Sequence, residues 1–346
     1  MDGGVQSSEN QSYVSPRFLL VGIIIMTTII LFLFYRAGNE VKIRDQYTPV
    51  QTMTPQKLAD FGGTPADVTV GMFIRDIPQF DAIRGTFLVD ATVWFLFDPR
   101  LISVERVGNF AFERAEILGK TEPYVRVSGN TLFARYDMRL RFTMSFNYQD
   151  FPFDGHRLNF TLVHYFLSPA EVNFTSARSN FVVNADINIP GWRPIDRRVA
   201  TGFAEEQLET RDNGRQETLY PKVVFSVDFE RIGSRHIISI FIPLLLIFYI
   251  ALFSFSLDPA GKFATQVISL SYTAITALIA YRFVIENMAP PVGYFMSSDY
   301  IFLMFLIACC VIFFANIFSA YLSAMVKYVI AIVLELVVVL TFALTV

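Results

Sequence analysis

The chain has 346 residues, of which 53% are hydrophobic and 36 are phenylalanine. This composition excludes an ordinary soluble domain of that length and indicates a membrane protein. The formal net charge of -3 is small and spread along the chain, which excludes a basic surface for nucleic acid. The two cysteines, Cys309 and Cys310, are neighbours in an apolar run and cannot readily pair, so no disulfide framework is expected.

The first predicted element is an apolar span at residues 18–35, within an N-terminal segment, 1–36, that begins with a polar tail. Arg17 is the positive charge before the span, and no clean small-x-small cleavage site follows it. We therefore expect a retained signal anchor, with a cleaved signal peptide as the alternative. Residues 37–65 show no clear periodicity and are predicted to form a linker, with a short helix at PQKLADF (55–61).

Residues 66–235 alternate apolar and polar side chains, are rich in β-branched and aromatic residues, and are punctuated by Gly, Pro, Asn and Asp. A single block of this size and pattern predicts an all-β sandwich. The strands that the pattern predicts are 68–77, 85–97, 130–148, 156–166 and 221–232.

Residues 236–346 are apolar again, with short interruptions at SLDPAGK, ENMAPPVGYFMSSD and SAYLSAM. The segments between these interruptions are each close to the ~20 residues that a helix needs to cross a bilayer. This region predicts a domain of four transmembrane helices at about 236–256, 261–286, 297–320 and 324–346.

Motifs for catalysis or cofactor binding do not stand out. The three histidines, His156, His164 and His236, lack metal-ligand spacing, and no nucleophile elbow, phosphate-binding loop or dinucleotide turn is present. We therefore expect no enzyme activity, no metal and no cofactor.

Five aromatic and proline-containing motifs follow one another along the chain. They are WFLFDPRL (94–101), the segment 129–162 that contains FPFDGH (151–156), IPGW (189–192), the segment 225–246 that ends in FIPLLL, and AYRFVIENMAPPVGYFMSSDYIF (280–302). In order and spacing this set resembles the pentameric ligand-gated ion channels, the Cys-loop receptor superfamily, over roughly residues 66–346. The positions that bracket FPFD carry no cysteine and no long segment joins the last two helices, as in bacterial members without the disulfide.

The resemblance implies an immunoglobulin-like sandwich on the extracellular or periplasmic side of the cell membrane, followed by the four-helix pore domain. The span at 18–35 is additional to that plan. The implied function is a homopentameric ligand-gated ion channel whose partners are the lipid bilayer, permeant ions and an unidentified small-molecule or ion agonist.

The resemblance also implies that the FPFD turn contacts the loop between the second and third pore-domain helices. A bond between Asp154 and Arg231 would be charge-assisted and able to change partners between states, and a static ion pair is the alternative. The full implied coupling set is Asp154, Arg231, Asp81, Phe153 and Pro290.

Hydroxylated and small residues recur at three- and four-residue steps in the segment 262–286, which places them on one stripe of a helix. In the register of the resemblance this stripe lines the pore and Phe283 forms an apolar gate that excludes water. The stripe could instead serve hydrogen bonds between helices. Phe263 lies just outside it. The predicted pore-lining residues are Thr265, Ser269, Thr273, Thr276, Ala280 and Phe283.

Two charges flank the stripe. Glu286, at the outer end, would concentrate cations as a ring of five carboxylates, whereas Lys262 would favour anions if it faced the lumen. We expect a cation-conducting channel.

Residues that the resemblance brings to the agonist site lie after strands of the sandwich, in the acidic hairpin EEQLETRDNGRQE (205–217) and, with Trp94, on the face of the neighbouring subunit. The carboxylates of this hairpin suit a cation, a metal ion, proton sensing or simple solvation of an exposed loop. The candidate ligand-binding residues are Trp94, Tyr124, Tyr165, Phe166, Phe174, Glu205 and Glu206. A different function, a membrane-anchored β-sandwich sensor or auxiliary subunit that oligomerises without conducting, remains the alternative.

Overall fold

The structure is a computed structural model, and it describes residues 13–37, 42–45, 47–60, 64–209, 215–232, 234–259, 262 and 264–345. The chain divides into two compact units. A helical unit comprises Met1–Lys42, Tyr148–Asp154 and Gly233–Val346, and a β-rich unit comprises Ile43–Asn147 and Gly155–Ile232.

Five helices of the helical unit are long and apolar enough to cross a membrane. The first of these five helices begins at Pro16, which suits the first turn of a helix. The helix Ala264–Met288 ends shortly before Pro290. Two short helices lie in the β-rich unit. In chain order the helices are α1 (Pro16–Ala37), α2 (Pro55–Asp60), α3 (Val104–Val107), α4 (Ser234–Phe253), α5 (Ala264–Met288), α6 (Ser297–Ile317) and α7 (Ala324–Thr345).

Five long apolar helices are present, as the sequence predicted, and their ends differ from the predicted bounds. The helix expected to reach residue 256 ends at Phe253, because a 3-10 turn follows in which the Ser254 and Ser256 hydroxyls donate to backbone carbonyls. Buried hydrogen bonds then join three elements of the bundle: Asn316 Nδ2 donates to Ser254 Oγ at 2.7 Å and to Ser271 Oγ at 2.6 Å. Since apolar lipid offers no partner to such groups, these bonds fix the position of α5 against its neighbours.

The N-terminal helix α1 packs on α4 and α7. Thr27 Oγ1 and Tyr249 Oη lie 2.6 Å apart, and the Phe18 ring meets the Tyr328 ring edge-on at 4.8 Å. Gly22 allows close approach of α7, because a Cβ at this position would lie 2.6 Å from both carboxylate oxygens of Glu335. The additional span is therefore a packed part of the helical unit.

The β-rich unit contains two sheets. The first has the order β1-β8-β12-β11 with β4 also paired to β8, and the second has the order β10-β2-β3-β7-β5 with β6 on β7 and β9 on β2. The strands are β1 (Lys42–Ile43), β2 (Ala66–Asp81), β3 (Thr86–Phe97), β4 (Ala111–Phe112), β5 (Ala115–Lys120), β6 (Tyr124–Ser128), β7 (Thr131–Thr143), β8 (Asp154–Val163), β9 (Val172–Thr175), β10 (Phe181–Val183), β11 (Trp192–Glu209) and β12 (Arg215–Arg231).

Aromatic side chains from the two sheets meet in a shared core. Phe160 of β8 contacts Phe87 of β3 at 6.1 Å and Phe142 of β7 at 5.2 Å, while Phe181 of β10 contacts Phe225 of β12 at 5.1 Å. Along β3 and β7, buried side chains largely alternate with less buried ones. This alternation is the pattern that predicted a β-rich block.

The long strand β11 was not among the strands expected from the sequence. It carries charged residues at seven of its 18 positions and contains Pro194, where its pairing with β12 shifts register before Asp196. Both features belong to an edge strand, because an edge tolerates a missing N–H donor and charges that discourage further pairing. The predicted short helix in the linker is confirmed as α2.

Candidate functional site

The FPFD turn, residues 148–154, belongs to the helical unit and is bonded to the segment that joins α5 and α6. The Tyr148 N–H donates to Tyr294 Oη at 2.8 Å. The Ser297 N–H donates to the Gln149 carbonyl at 2.8 Å, and the Ser298 N–H to the Phe151 carbonyl at 3.2 Å. The contact that the resemblance implies for this turn is therefore present, and its role in gating stays a prediction.

Phe153 fixes the turn against the helices. Its ring stacks on Phe241 of α4 at 5.8 Å, and Phe34 of α1 lies 5.9 Å from Phe153 and 5.3 Å from Phe241. Phe342 of α7 closes the cluster, 5.5 Å from Phe34. An apolar turn placed among apolar helices explains why FPFD combines aromatic residues with proline.

The other predicted coupling residues are Asp154, Pro290, Arg231 and Asp81. Asp154 is 2% exposed at the start of β8, and Pro290 is buried after α5. The Arg231 guanidinium lies 4.3 Å from the centre of the Trp192 ring. Asp81 Oδ1 accepts the Arg84 N–H at 3.0 Å, so this carboxylate stabilises its own turn. The Asp154 to Arg231 bond stays a prediction.

The predicted pore-lining residues all lie on the exposed side of α5. Its opposite side packs inside the unit through Val267, Ser271, Ala274, Leu278 and Ile285. Thr276 Oγ1 donates to the Tyr272 carbonyl of its own helix at 3.1 Å. Phe263 lies outside the described residues. We call the six predicted residues the exposed stripe; Ile268, Tyr272, Ile279 and Val284 of the same helix are exposed as well. The stripe residues are Thr265, Ser269, Thr273, Thr276, Ala280 and Phe283.

At the C-terminal end of α5, the Arg282 guanidinium is shared by two carboxylates. Arg282 donates through Nε to Glu286 Oε1 at 2.9 Å and through Nη1 to Asp299 Oδ1 at 2.5 Å. Asp299 also accepts the Met296 N–H at 2.8 Å and so caps α6. Glu286 is thus ion-paired with Arg282. The sequence expectation for Glu286 did not include this partner, although Arg282 lies one helical turn away on the same helix. Lys262 is exposed just before α5.

The candidate ligand-binding residues divide into core and surface positions. Phe174 is 2% exposed and packs on Phe95 and His164 at 6.4 Å, so its ring is a core side chain and a ligand has no access to it. The Trp94 indole lies over Gly71, where a Cβ would come within 2.0 Å of the ring. Tyr124 is exposed, with the Arg135 guanidinium 5.5 Å from its ring centre.

The remaining candidates lie near the β11–β12 hairpin. Tyr165 is half-exposed and meets Tyr220 edge-on at 5.1 Å, and Phe166 is exposed. Burial, followed by the negative charges of Glu113 and Glu206, raises the pKa of the Tyr165 hydroxyl. The hairpin tip, residues 210–214, lies outside the described residues.

Glu113 and Tyr220 were not predicted as part of this surface. Glu113 Oε1 pairs with the buried Lys222 Nζ at 2.7 Å, which neutralises much of its charge. Glu205 Oε2 accepts from Gln51 Nε2 at 2.8 Å, while the Glu206 side chain is exposed. Because these groups come from four separate stretches of the chain, sequence spacing gave no signal for their association.

A buried polar cluster follows the FPFD turn and was also missed. Arg157 Nε donates to Asp228 Oδ1 at 2.7 Å and Arg157 Nη2 to Asp228 Oδ2 at 3.0 Å, across two paired strands. Asp45 Oδ2 accepts the Arg157 N–H at 2.9 Å and lies 3.1 Å from His156 Nδ1. His156 is fully buried between Phe146 and Trp192. The last residue of FPFDGH and the residue that follows it thus belong to a buried, charged cluster in the β-rich unit.

Within the part of the chain that the structure describes, no group of three or more His, Cys, Asp or Glu side chains is arranged to hold a metal ion. No protein-family model matches the chain, and no curated protein sequence matches it.

Proposed function

We propose that the protein is a homopentameric ligand-gated ion channel whose pore is lined by α5. The observation that carries this proposal is the exposed stripe of α5, on which hydroxylated residues face away from the helices of their own chain. A single hydroxyl on a membrane helix can bond back to its own backbone, as Thr276 does, but a row of hydroxyls on one side favours contact with water or with another polar surface. Five copies around one axis would turn each residue of the stripe into a ring that lines an aqueous path.

Apolar surface on the β-rich unit supports association of several copies. Tyr124, Val125 and Val127 of β6 are exposed, although β-branched and aromatic residues on one short strand are typical of a covered surface. In the proposed assembly this strand lies in contact with the neighbouring subunit. The immunoglobulin-like arrangement of the sheets and an extracellular or periplasmic position of the β-rich unit are parts of the same proposal.

The contacts of the FPFD turn support coupling between ligand binding and the pore. Four hydrogen bonds join the turn to Tyr294, Ser297 and Ser298, which lie in the segment after the pore-lining helix and in the first turn of α6. A displacement of the turn would therefore act on the end of α5 where Phe283 forms the proposed gate. In the proposed mechanism Asp154, Arg231, Phe153 and Pro290 take part in this coupling.

Cations are the proposed permeant ions. Glu286 and Asp299 supply two carboxylates to one Arg282 at the outer end of α5, so each subunit brings a net negative charge to this end. A ring of such charges raises the local cation concentration. The exposed Lys262 stands at the other end of the helix.

A cation is also the proposed class of agonist. The half-exposed Tyr165 ring beside Tyr220, together with the exposed Glu206 carboxylate, offers an aromatic face and a negative charge to one ligand. Glu205 bonds to Gln51 and has less capacity for a ligand. Nothing in this arrangement requires an enzyme activity or a cofactor.

The experiment that tests the proposal uses purified full-length protein in lipid nanodiscs and in planar bilayers. Native mass measurement should give five copies per particle. Recordings with protons, calcium and a quaternary ammonium ion as candidate agonists should give currents whose reversal potential follows the cation gradient. Particles of another stoichiometry would contradict the channel, and pentamers without current under all three agonists would favour the anchored sensor or auxiliary subunit.

A further inference from the structure

The stretch that follows α1 crosses the first sheet of the β-rich unit from one edge to the other. We call residues 43–57 the strap; all of them except residue 46 are among the described residues. The strap starts as part of β1 beside β8, and Gln51 forms an isolated bridge with Phe203 of β11 at the opposite edge. A segment expected to be a linker therefore has fixed contacts at both ends.

The lower end of the strap holds the residues on both sides of the FPFD turn. Asp45 Oδ1 accepts the Asn147 N–H at 2.8 Å, and Asp45 Oδ2 accepts the Arg157 N–H at 2.9 Å. The Asp45 carbonyl accepts from Arg157 Nη1 at 3.1 Å. One carboxylate thus bonds to the segment that enters the turn, after the end of β7, and to β8, the strand that leaves it. Bonds to a charged acceptor are among the stronger ones in a protein.

The middle of the strap lies over the sheet. The Arg157 guanidinium stands 3.6 Å from the centre of the Tyr47 ring, and the Arg198 guanidinium of β11 lies 5.3 Å from the same centre. The Tyr47 ring therefore spans from β8 to β11.

The upper end of the strap, at Gln51, is hydrogen-bonded to Phe203 of β11. The Gln51 N–H donates to the Phe203 carbonyl at 3.0 Å, and the Phe203 N–H donates to the Gln51 carbonyl at 3.0 Å. Gln51 Nε2 donates to Glu205, and Lys57 Nζ lies 4.8 Å from the Phe203 ring centre. Close approach requires Gly202, since a Cβ there would lie 2.0 Å from the Gln51 carbonyl oxygen.

We propose that the strap is a coupling element that links the β11–β12 hairpin to the FPFD turn and thereby sets how readily the channel opens. The inference rests on the proposed channel function. A ligand that moves the hairpin displaces Phe203, the strap follows through its paired backbone, and Asp45 carries the displacement to Asn147 and Arg157.

The test compares full-length protein in nanodiscs carrying Gly202→Ala, Asp45→Asn or the matched control Gly119→Ala. An added Cβ at Gly119 meets nothing within 4 Å, so this control repeats the Gly202 substitution without a clash. Amide hydrogen exchange is measured at the Gln51 and Phe203 amides and at the Asn147 and Arg157 amides. Gly202→Ala should speed exchange about tenfold at the upper end, the factor expected from loss of about one backbone hydrogen bond. Asp45→Asn should speed exchange about tenfold at the Asn147 and Arg157 amides of the lower end.

The coupling element requires that each variant also speed exchange at the end it does not touch, while Gly119→Ala changes neither end. In the same samples, agonist activation should shift about threefold or more for Gly202→Ala and Asp45→Asn. Exchange changes confined to the substituted end would overturn the proposal, as would unshifted activation in a conducting parent. A parent protein without current would defeat the channel function alone, and the exchange results would still decide whether the strap links its two ends.

Discussion

Removal of the Asp228 carboxylate should destabilise the β-rich unit more than loss of any surface ion pair. Arg157 and Asp228 are 6% and 5% exposed and share two charge-assisted hydrogen bonds of 2.7 and 3.0 Å. Asp228→Ala leaves the Arg157 charge buried with the Asp45 carbonyl as a remaining acceptor. Breaking a buried pair in this way costs about 3–5 kcal/mol of the free energy of unfolding. For a unit of this size the melting temperature should fall by roughly 6–20 °C.

Tryptophan fluorescence provides a selective assay. The chain has two tryptophans, and both, Trp94 and Trp192, lie in the β-rich unit. Thermal unfolding in detergent followed at their emission therefore reports on this unit while the helices remain spectroscopically silent.

Two further variants separate the buried pair from general damage. Asp98→Asn breaks an exposed pair with Arg100 and should leave the melting temperature unchanged within error. The double variant Arg157→Met with Asp228→Leu should recover much of the loss, because it removes both charges and keeps the volume apolar. A melting temperature for Asp228→Ala within about 2 °C of the parent would refute the reasoning, since a broken buried pair must cost more than that.

Three further predictions address gating and pH. Asp154→Asn should shift or abolish agonist activation in correctly assembled pentamers, because it removes a buried charge with little change in volume; unchanged recordings would exclude the coupling role. Phe283→Ala or Phe283→Ser should raise resting conductance by removing an apolar constriction, whereas Phe314→Ala, an exposed phenylalanine on α6, should not; equal opening in all of them would exclude the gate. Burial lowers the pKa of His164 below its ordinary value of 6.5, so the unfolded chain binds the proton more readily and stability should decline as the pH falls below about 6.5. His164→Gln should flatten that decline in fluorescence melting curves, and a parallel decline in the variant would assign the effect to other groups.

The features of the fold that the sequence predicted are those with a strong local signal. Five apolar runs gave five long helices, and the alternation from Thr131 to Thr143 gave β7 with its buried side chains at every second position. The edge strand β11 was missed because its charged residues and Pro194 mask the alternation. Helix ends moved by a few residues, since serine hydroxyls and a following proline decide them.

The candidate site was predictable only where it lies on one element. The stripe of α5 is periodic, so its residues share one exposed side as expected. The Arg157 to Asp228 pair and the Asp45 contacts join residues far apart in the chain, and single-sequence spacing carries no information about such pairs. Phe174 was predicted as a ligand-binding residue but is buried in the core. An aromatic residue after a strand has the same sequence signature in a core as in a binding site.

The central claim is that the exposed stripe of α5 lines a water-filled pore. The most direct measurement is block of current by a charged methanethiosulfonate reagent in channels that carry Thr273→Cys, with Cys309 and Cys310 both replaced by alanine. The matched control is Ala274→Cys, the next residue, which is 3% exposed and packs inside the helical unit. If the stripe lines the pore, the reagent should cause a lasting change in current at Thr273→Cys and none at Ala274→Cys. Full modification of Thr273→Cys with unchanged current, or equal effects at both positions, would contradict it.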